Sequence, residues 1–282
     1  MNGILVINKE SNMTSRDVVN ILTKEFNTKK IGHTGTLDPL AEGVLVICIG
    51  KYTKLCDLLT SKYKEYIATI KLGIKTDTAD ITGKVIEKKD FNITKEQIID
   101  VLNSFKGKSI QQVPIYSAVK VNGKKLYEYA RSNQEVELPK RTINITDIEL
   151  ISFNNDEIVF KSTVSKGTFI RSLIEDICTK LNTVGTMSKL IRTKQGNFRV
   201  EESYTLDDIK NNKYKLLSLE EVLKDMESID IDESLLKPVH NGAVINKIFN
   251  NDMACLKYDD KIIAIYKTYD KDKTKAKPYI MF

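Results

Sequence analysis

The sequence predicts an α+β fold: a mixed, largely antiparallel sheet flanked by helices, with a small β-rich module at the C-terminal end. Three observations carry that expectation. Short apolar runs of the kind found in buried strands alternate with helical apolar spacing in the first third of the chain. Further on, β-rich runs outlast simple strand–helix–strand alternation, which argues against an all-parallel sheet. An acidic stretch then separates the bulk of the chain from a second strand-rich segment.

Gly3 to Asn8 (GILVIN) reads as a buried strand. From Ser15 to Phe26, Val18, Ile21, Leu22 and Phe26 recur at helical spacing, with Thr14 and Ser15 available as N-caps. Gly43 to Gly50 (GVLVICIG) is a second buried strand, followed by a short helix through Leu55, Leu58 and Leu59. Glu65 to Gly73 (EYIATIKLG) is strand-like, and the polar stretch Ile74 to Gly83 reads as a loop. Thr94, three residues before Gln97, has the capping-box spacing and opens a helix expected to place Ile98, Ile99, Leu102 and Phe105 on one face. Lys140 to Ser165 reads as two β-runs turning at Asn154, Asn155 and Asp156, and Thr168 to Leu181 as a helix. Asp207 to Ser234 carries nine acidic residues against four lysines and reads as a peripheral helix and linker. From Leu235 the chain reads as strand-rich, with turns at Asn241-Gly242 and Asp259-Asp260.

With 282 residues, 41% hydrophobic and 29% charged, the chain can bury and solubilise a core, which excludes global disorder. The N-terminus lacks the pattern of a secretory leader and no apolar run reaches the ~18 residues of a spanning helix, so a cytoplasmic location is expected. Four widely spaced cysteines and two histidines suit neither a zinc module nor a disulfide framework, and buried thiols are expected. A net charge of +6 permits an anionic partner without establishing one.

The densest chemical signal is Lys30 to Gly43, KIGHTGTLDPLAEG. Three glycines, a histidine, two threonines and an Asp-Pro pair between a helix and a buried strand read as a shaped, anchored loop. Asp38 precedes Pro39, whose ring pushes it toward extended geometry and gives its carboxylate a defined direction. An ordinary turn-forming Asp-Pro would look the same.

The run Gly32-His33-Thr34-Gly35-Thr36-Leu37-Asp38-Pro39-Leu40-Ala41-x-Gly43 resembles the catalytic motif of the TruB-type tRNA pseudouridine synthases, which isomerise uridine 55 in the T-loop of tRNA. The resemblance continues through Gly3 to Lys9 with Thr14-Ser15, Lys64 to Gly73 with its tyrosine Tyr66, and Thr76-Asp77-Thr78-x-Asp80. It extends to Tyr116 to Lys120 with Gly123, Tyr127, Ala130 and Arg131, and to Ser165 to Arg171. It implies a pseudouridine synthase-like sheet in residues 1–234, an RNA-embracing insertion at about 106–142, the acidic periphery at 207–234, and a short PUA-like RNA-binding module at 235–282. Three positions depart from the family pattern: Glu10 and Val113 stand where proline is usual, and Phe169 where tyrosine is common.

The resemblance implies Asp38 as the catalytic carboxylate, Arg171 as its partner, and Tyr66 and Leu190 as contacts to the flipped base. A guanidinium forking onto the carboxylate would fix its orientation. A glycoside hydrolase normally needs two carboxylates; an isomerase that retains its leaving group can use one. His33 and Thr36 are expected at the substrate, Asp80 to orient the arginine or a substrate hydroxyl, and Lys9, Lys120, Arg131 and Lys166, with Tyr116, on the RNA backbone. No cofactor, metal, membrane or obligate protein partner is implied; the partner expected is the T-arm of tRNA. The alternative from another class is a tRNA-binding or folding protein whose chemistry is secondary or lost.

Overall fold

A computed structural model describes residues 1–60 and 63–282 of the chain. Among the described residues the main sheet has nine strands. Seven lie in the order Gly3–Lys9, Glu42–Ile49, Gly185–Gln195, Lys64–Leu72, Glu157–Val164, Lys140–Asn154 and Gly107–Gln112, with Ile31–His33 and Phe198–Arg199 paired alongside. One pairing is parallel, that of Gly185–Gln195 with Glu42–Ile49, in which Arg192 stands opposite Gly43. The remaining pairs in this sheet are antiparallel. The expected mixed, largely antiparallel sheet flanked by helices is therefore the observed one.

Helices Ser15–Glu25, Lys95–Asn103 and Ile170–Lys180 cover one face of this sheet. The first two open on capping boxes, Thr14 with Asp17 and Thr94 with Gln97, each satisfying orphan backbone donors. Val18, Val19, Leu22, Ile98, Leu102, Leu173, Ile174 and Ile177 pack there against Ile70, Phe160 and Met187 of the sheet. Ile99 does not join them and is exposed, because it lies about a third of a turn from Ile98 while Leu102 lies a full turn away.

A second sheet has the order Ser228–Asp230, Met253–Tyr258, Lys261–Tyr269, Asp272–Met281, Ile245–Asn246. Cys255, Ile262, Ile265 and Ile280 of this sheet share one buried cluster with Ile4, Val6, Val44, Val46 and Cys48 from the main sheet's other face. The C-terminal sheet thus seals the back of the strand that leads out of the Asp38 loop.

Several local expectations are corrected. Lys30 to Gly43 is not wholly loop, since Ile31–His33 pairs with Glu42–Ile49. Ile74–Thr76 forms a short hairpin with Val85–Lys88. Leu235 lies in a helix, Glu233–His240, so Asn241-Gly242 is that helix's C-terminal exit and not a strand turn. The acidic segment contributes the edge strand Ser228–Asp230 to the second sheet. The four thiols are free, three of them buried and Cys56 half-buried. Among the described residues, no helix is long and apolar enough to cross a membrane.

Candidate active site

The loop that follows Ile31–His33 is fixed at nearly every residue. Thr34 donates its N–H to Val46, and its carbonyl accepts from the buried Gln195 side chain at 3.1 Å. The Ser15 hydroxyl, at the start of the first helix, accepts the Leu37 N–H at 2.9 Å and donates to the Leu37 carbonyl at 3.2 Å. Leu37 itself is buried in the core, so the residue before Asp38 is held by both backbone and side chain. Asp38 is left with its carboxylate 36% exposed, and its carbonyl closes the turn by accepting from Ala41.

Arg171 approaches from the second residue of helix Ile170–Lys180, with its side chain only 6% exposed. Its Nε donates to Asp38 Oδ2 at 2.9 Å. The expected fork is not formed. Nη1 donates instead to the Thr78 carbonyl at 3.1 Å and Nη2 to the Tyr116 carbonyl at 2.9 Å. The guanidinium therefore joins three chain segments, and one carboxylate oxygen remains outside the pair. Two residues upstream, Gln111 clamps the backbone of Phe169, accepting its N–H at 2.8 Å and donating to its carbonyl at 3.1 Å. Both members of the ion pair thus follow a main-chain clamp, which makes the pair's geometry a property of the scaffold.

Tyr66 lies opposite Ser162 and Arg192 in the sheet, and Leu190 is opposite Ala68, so Tyr66 and Leu190 share a face as diagonal neighbours. Both are nearly buried and belong to the cluster that contains Leu37 and Ile170, next to Asp38 and Arg171 in sequence. The Tyr66 hydroxyl has no hydrogen-bond partner among the described residues. His33 is half-buried and its Nδ1 accepts the Gly35 N–H at 3.3 Å; burial, then the nearby Arg16 and Arg192, pull its pKa below the usual value. Its imidazole is accordingly favoured in the neutral form, suited to stacking or hydrogen bonding. Thr36 is exposed at the loop's crest.

Asp80 sits within reach of its own loop. Its Oδ1 accepts from the Thr78 hydroxyl at 3.0 Å and from the Thr82 N–H at 3.0 Å. Its link to Arg171 runs through Thr78, whose carbonyl takes Nη1. Asp80 shapes the arginine's seat without touching the arginine.

Lys9 is a clear correction. It is fully buried, and its ammonium donates to the carbonyls of Glu10, Met13 and Pro39 at 2.8, 2.7 and 3.3 Å. Burial pulls its pKa to about 8 against the opposing effect of Asp38 and Glu42. Lys9 pins the loop from beneath and is not an RNA contact.

Lys120, Arg131 and Lys166 are exposed as expected, while Tyr116 is half-buried and offers its carbonyl to Arg171. The insertion folds as a hairpin, Lys120–Val121 with Lys124–Lys125, turning at Asn122-Gly123 with both residues at positive φ, and then as helix Leu126–Arg131. Lys124 lies over the Tyr129 ring, and Lys125 and Arg131 over that of Tyr127. At its base, the Val113 N–H donates to the Pro139 carbonyl at 3.0 Å, a bond that proline at this position could not make.

Sequence reasoning missed Ser15, Gln111, Arg192 and Gln195 as parts of this site. Among the described residues, no cluster of His, Cys, Asp and Glu could hold a metal ion.

The chain is similar to known proteins over most of its length. Residues 23–170 match the family model of the TruB family pseudouridylate synthase N-terminal domain, and residues 171–229 that of the tRNA pseudouridylate synthase B C-terminal domain. The chain is 44% identical to the tRNA pseudouridine synthase B of Clostridium tetani, over 94% of this chain and 95% of that one. It is 46% identical to the enzyme of the same name from Staphylococcus aureus strain MSSA476, over 100% and 99%. In structure it resembles a chain of a solved Cbf5-Nop10-Gar1 complex, with a TM-score of 0.72 and 26% identity, over 94% of this chain and 78% of that one.

Proposed function

The chain belongs to the TruB family of pseudouridylate synthases and is a tRNA-modifying enzyme, and from that premise we propose that it isomerises uridine 55 in the T-loop of tRNA through the Asp38 carboxylate. The observation that carries the reading is the Asp38–Arg171 pair. One carboxylate oxygen is held at 2.9 Å by a buried guanidinium while the group stays partly open to solvent. This is the arrangement of a carboxylate that is aimed by its partner and still accessible.

The reaction breaks the bond from ribose C1′ to uracil N1, turns the base and joins C1′ to C5; the proton on C5 leaves and N1 gains one. Electrons and atoms balance without a redox partner, and no cofactor is assigned. Asp38 acts on the substrate as nucleophile or as the anion beside the developing sugar cation, and both roles need the ionised form. Arg171 keeps that anion oriented. A uridine in a folded loop must first leave its stack. In this reading it enters beside Tyr66 and Leu190, with the tyrosine ring against one face and the hydroxyl placed for proton transfer.

His33, at the end of the strand that enters the loop, and Thr36, at its crest, meet the nucleotides next to the target. Lys120, Arg131 and Lys166 meet phosphates, and the insertion at 106–142 closes on the T-arm. Residues 1–234 carry the chemistry and 235–282 add a hold on the RNA, in the cytoplasm where tRNA is matured.

The test is to incubate the protein with unmodified tRNA transcripts and map pseudouridine by nucleotide. We expect one modified position, 55, and C5 tritium release in step with its appearance. Modification at other uridines only would overturn the site assignment; tight tRNA binding with no tritium release would favour the tRNA-folding alternative.

A further inference from the structure

Arg192 lies on the strand Gly185–Gln195, opposite Tyr66 on one side and Gly43 on the other. Its side chain is fully buried. Nε donates to the Val44 carbonyl at 2.6 Å and Nη2 to the Gly35 carbonyl at 3.0 Å. Those carbonyls stand at the entry and the exit of the loop, and Asp38 lies between them. A single guanidinium therefore ties the two ends of the Asp38 loop together. The backbone of Gly43 is pressed against the same residue: a Cβ there would lie 2.3 Å from the Arg192 carbonyl.

The electrostatics make this an expensive way to hold a loop. Among the described residues the Arg192 guanidinium forms no ion pair, and its neighbours include the ammonium groups of Lys9 and Lys64 and the imidazole of His33, whose pKa values it helps to lower. A desolvated cation beside two lysines, compensated by neutral carbonyls, is a poor device for stability alone, because an apolar side chain would avoid the desolvation cost. What an apolar side chain cannot do is bind two carbonyls nine residues apart in a fixed geometry.

We infer that Arg192 is a positioning residue for the reaction: by bridging the Gly35 and Val44 carbonyls it sets where the Asp38 carboxylate stands relative to Arg171 and Tyr66. Arg171 holds the Asp38 side chain, and Arg192 holds the main chain that carries it. The inference rests on Asp38 being the reacting carboxylate.

The test uses Arg192→Met and Arg192→Lys in the full chain, with single-turnover rate, tRNA affinity, melting temperature and amide exchange of residues 34–41 measured together. Methionine keeps the buried stem and removes the charge; lysine keeps the charge but reaches one carbonyl. We expect Arg192→Met to fold and to bind tRNA within about threefold of the parent. Its turnover should be at least 30-fold slower and its loop amides should exchange faster, with Arg192→Lys recovering part of the rate. A folded Arg192→Met protein with the parental rate would overturn the inference. So would loss of folding in both variants, which would make Arg192 a stability element. Asp38→Asn in the same assay separates the two levels: if it turns over, the carboxylate assignment falls, whereas an inactive Asp38→Asn beside a fully active Arg192→Met removes only the role of Arg192.

Discussion

The loop carrying Asp38 and the insertion carrying Lys120 to Arg131 are held by opposite means. Beneath the loop, charged and polar side chains are buried and bonded to backbone carbonyls: Lys9 to Pro39, Arg192 to Gly35 and Val44, Gln195 to Thr34. In the insertion Lys120 and Arg131 face solvent, the half-buried Lys124 and Lys125 keep to its surface, and Lys124, Lys125 and Arg131 lie over tyrosine rings of their own segment. A reacting carboxylate must be placed to a fraction of an ångström, which calls for fixed partners and excluded water. A surface that meets phosphates needs charge and reach, and loses little if each contact adjusts. Arg171 joins the two regions, with Nε on Asp38 and Nη2 on the Tyr116 carbonyl at the root of the insertion.

That contrast predicts that changes near the loop act on rate and changes in the insertion on affinity. The largest effect after loss of Asp38 itself is expected at Arg171→Lys. One ammonium cannot serve Asp38, Thr78 and Tyr116 together, so single-turnover rates should fall about 100-fold or more with tRNA affinity little changed. A near-parental rate would remove Arg171 from the site. Tyr66→Leu comes next, with a loss of at least tenfold in rate and a folded protein by circular dichroism. Tyr66→Phe then divides its two proposed roles. Stacking alone predicts a largely active enzyme; a dead Phe variant with unchanged tRNA affinity assigns the work to the hydroxyl.

A smaller and different effect is expected from changing Lys120, Lys124, Lys125 and Arg131 together to serine. The saturating rate should stay within about threefold while affinity drops and the slope of log affinity against log salt flattens, by ~0.7 to 0.9 for each phosphate no longer engaged. An unchanged slope would show that these cations do not meet the RNA backbone.

The smallest effect concerns pH. Burial pulls both Lys9 and Lys64 to about 8, from 10.5 when unperturbed. Between those values the unfolded chain binds more protons than the folded one, so these two groups make stability rise with pH from about 8 toward 10.5. Melting temperatures at pH 7, 8.5 and 9.5 for the parent and for Lys9→Met should differ in trend, the variant losing part of the upward contribution. Parallel profiles would mean that Lys9 titrates alike in both states.

The sequence made much of this legible, and its failures share a cause. Thr14, Thr94 and the Asn154-Asn155 turn announce their elements because capping and turn chemistry are local. The strand Gly185–Gln195 went unread although it lies inside the sheet, because Lys189, Arg192, Lys194 and Gln195 interrupt its apolar pattern. Two of those interruptions, Arg192 and Gln195, are the groups that hold the Asp38 loop. Lys9 was misread for the same reason: a lysine in a sequence does not reveal whether its ammonium meets solvent or three carbonyls. Asp38 and Arg171 were legible from their motifs, but the single Nε contact in place of a fork was not, since it depends on where Thr78 and Tyr116 bring their carbonyls.

The central claim, that the Asp38 carboxylate does the chemistry while the surrounding surfaces bind, is tested most directly by Asp38→Asn with turnover and affinity measured on the same tRNA. The amide keeps the shape and leaves the loop's main-chain bonds in place, but it cannot act as an anion. The account predicts no detectable pseudouridine and tRNA affinity within about tenfold of the parent, a change of ~1.4 kcal/mol at most. Appreciable turnover by pure Asp38→Asn protein would contradict it.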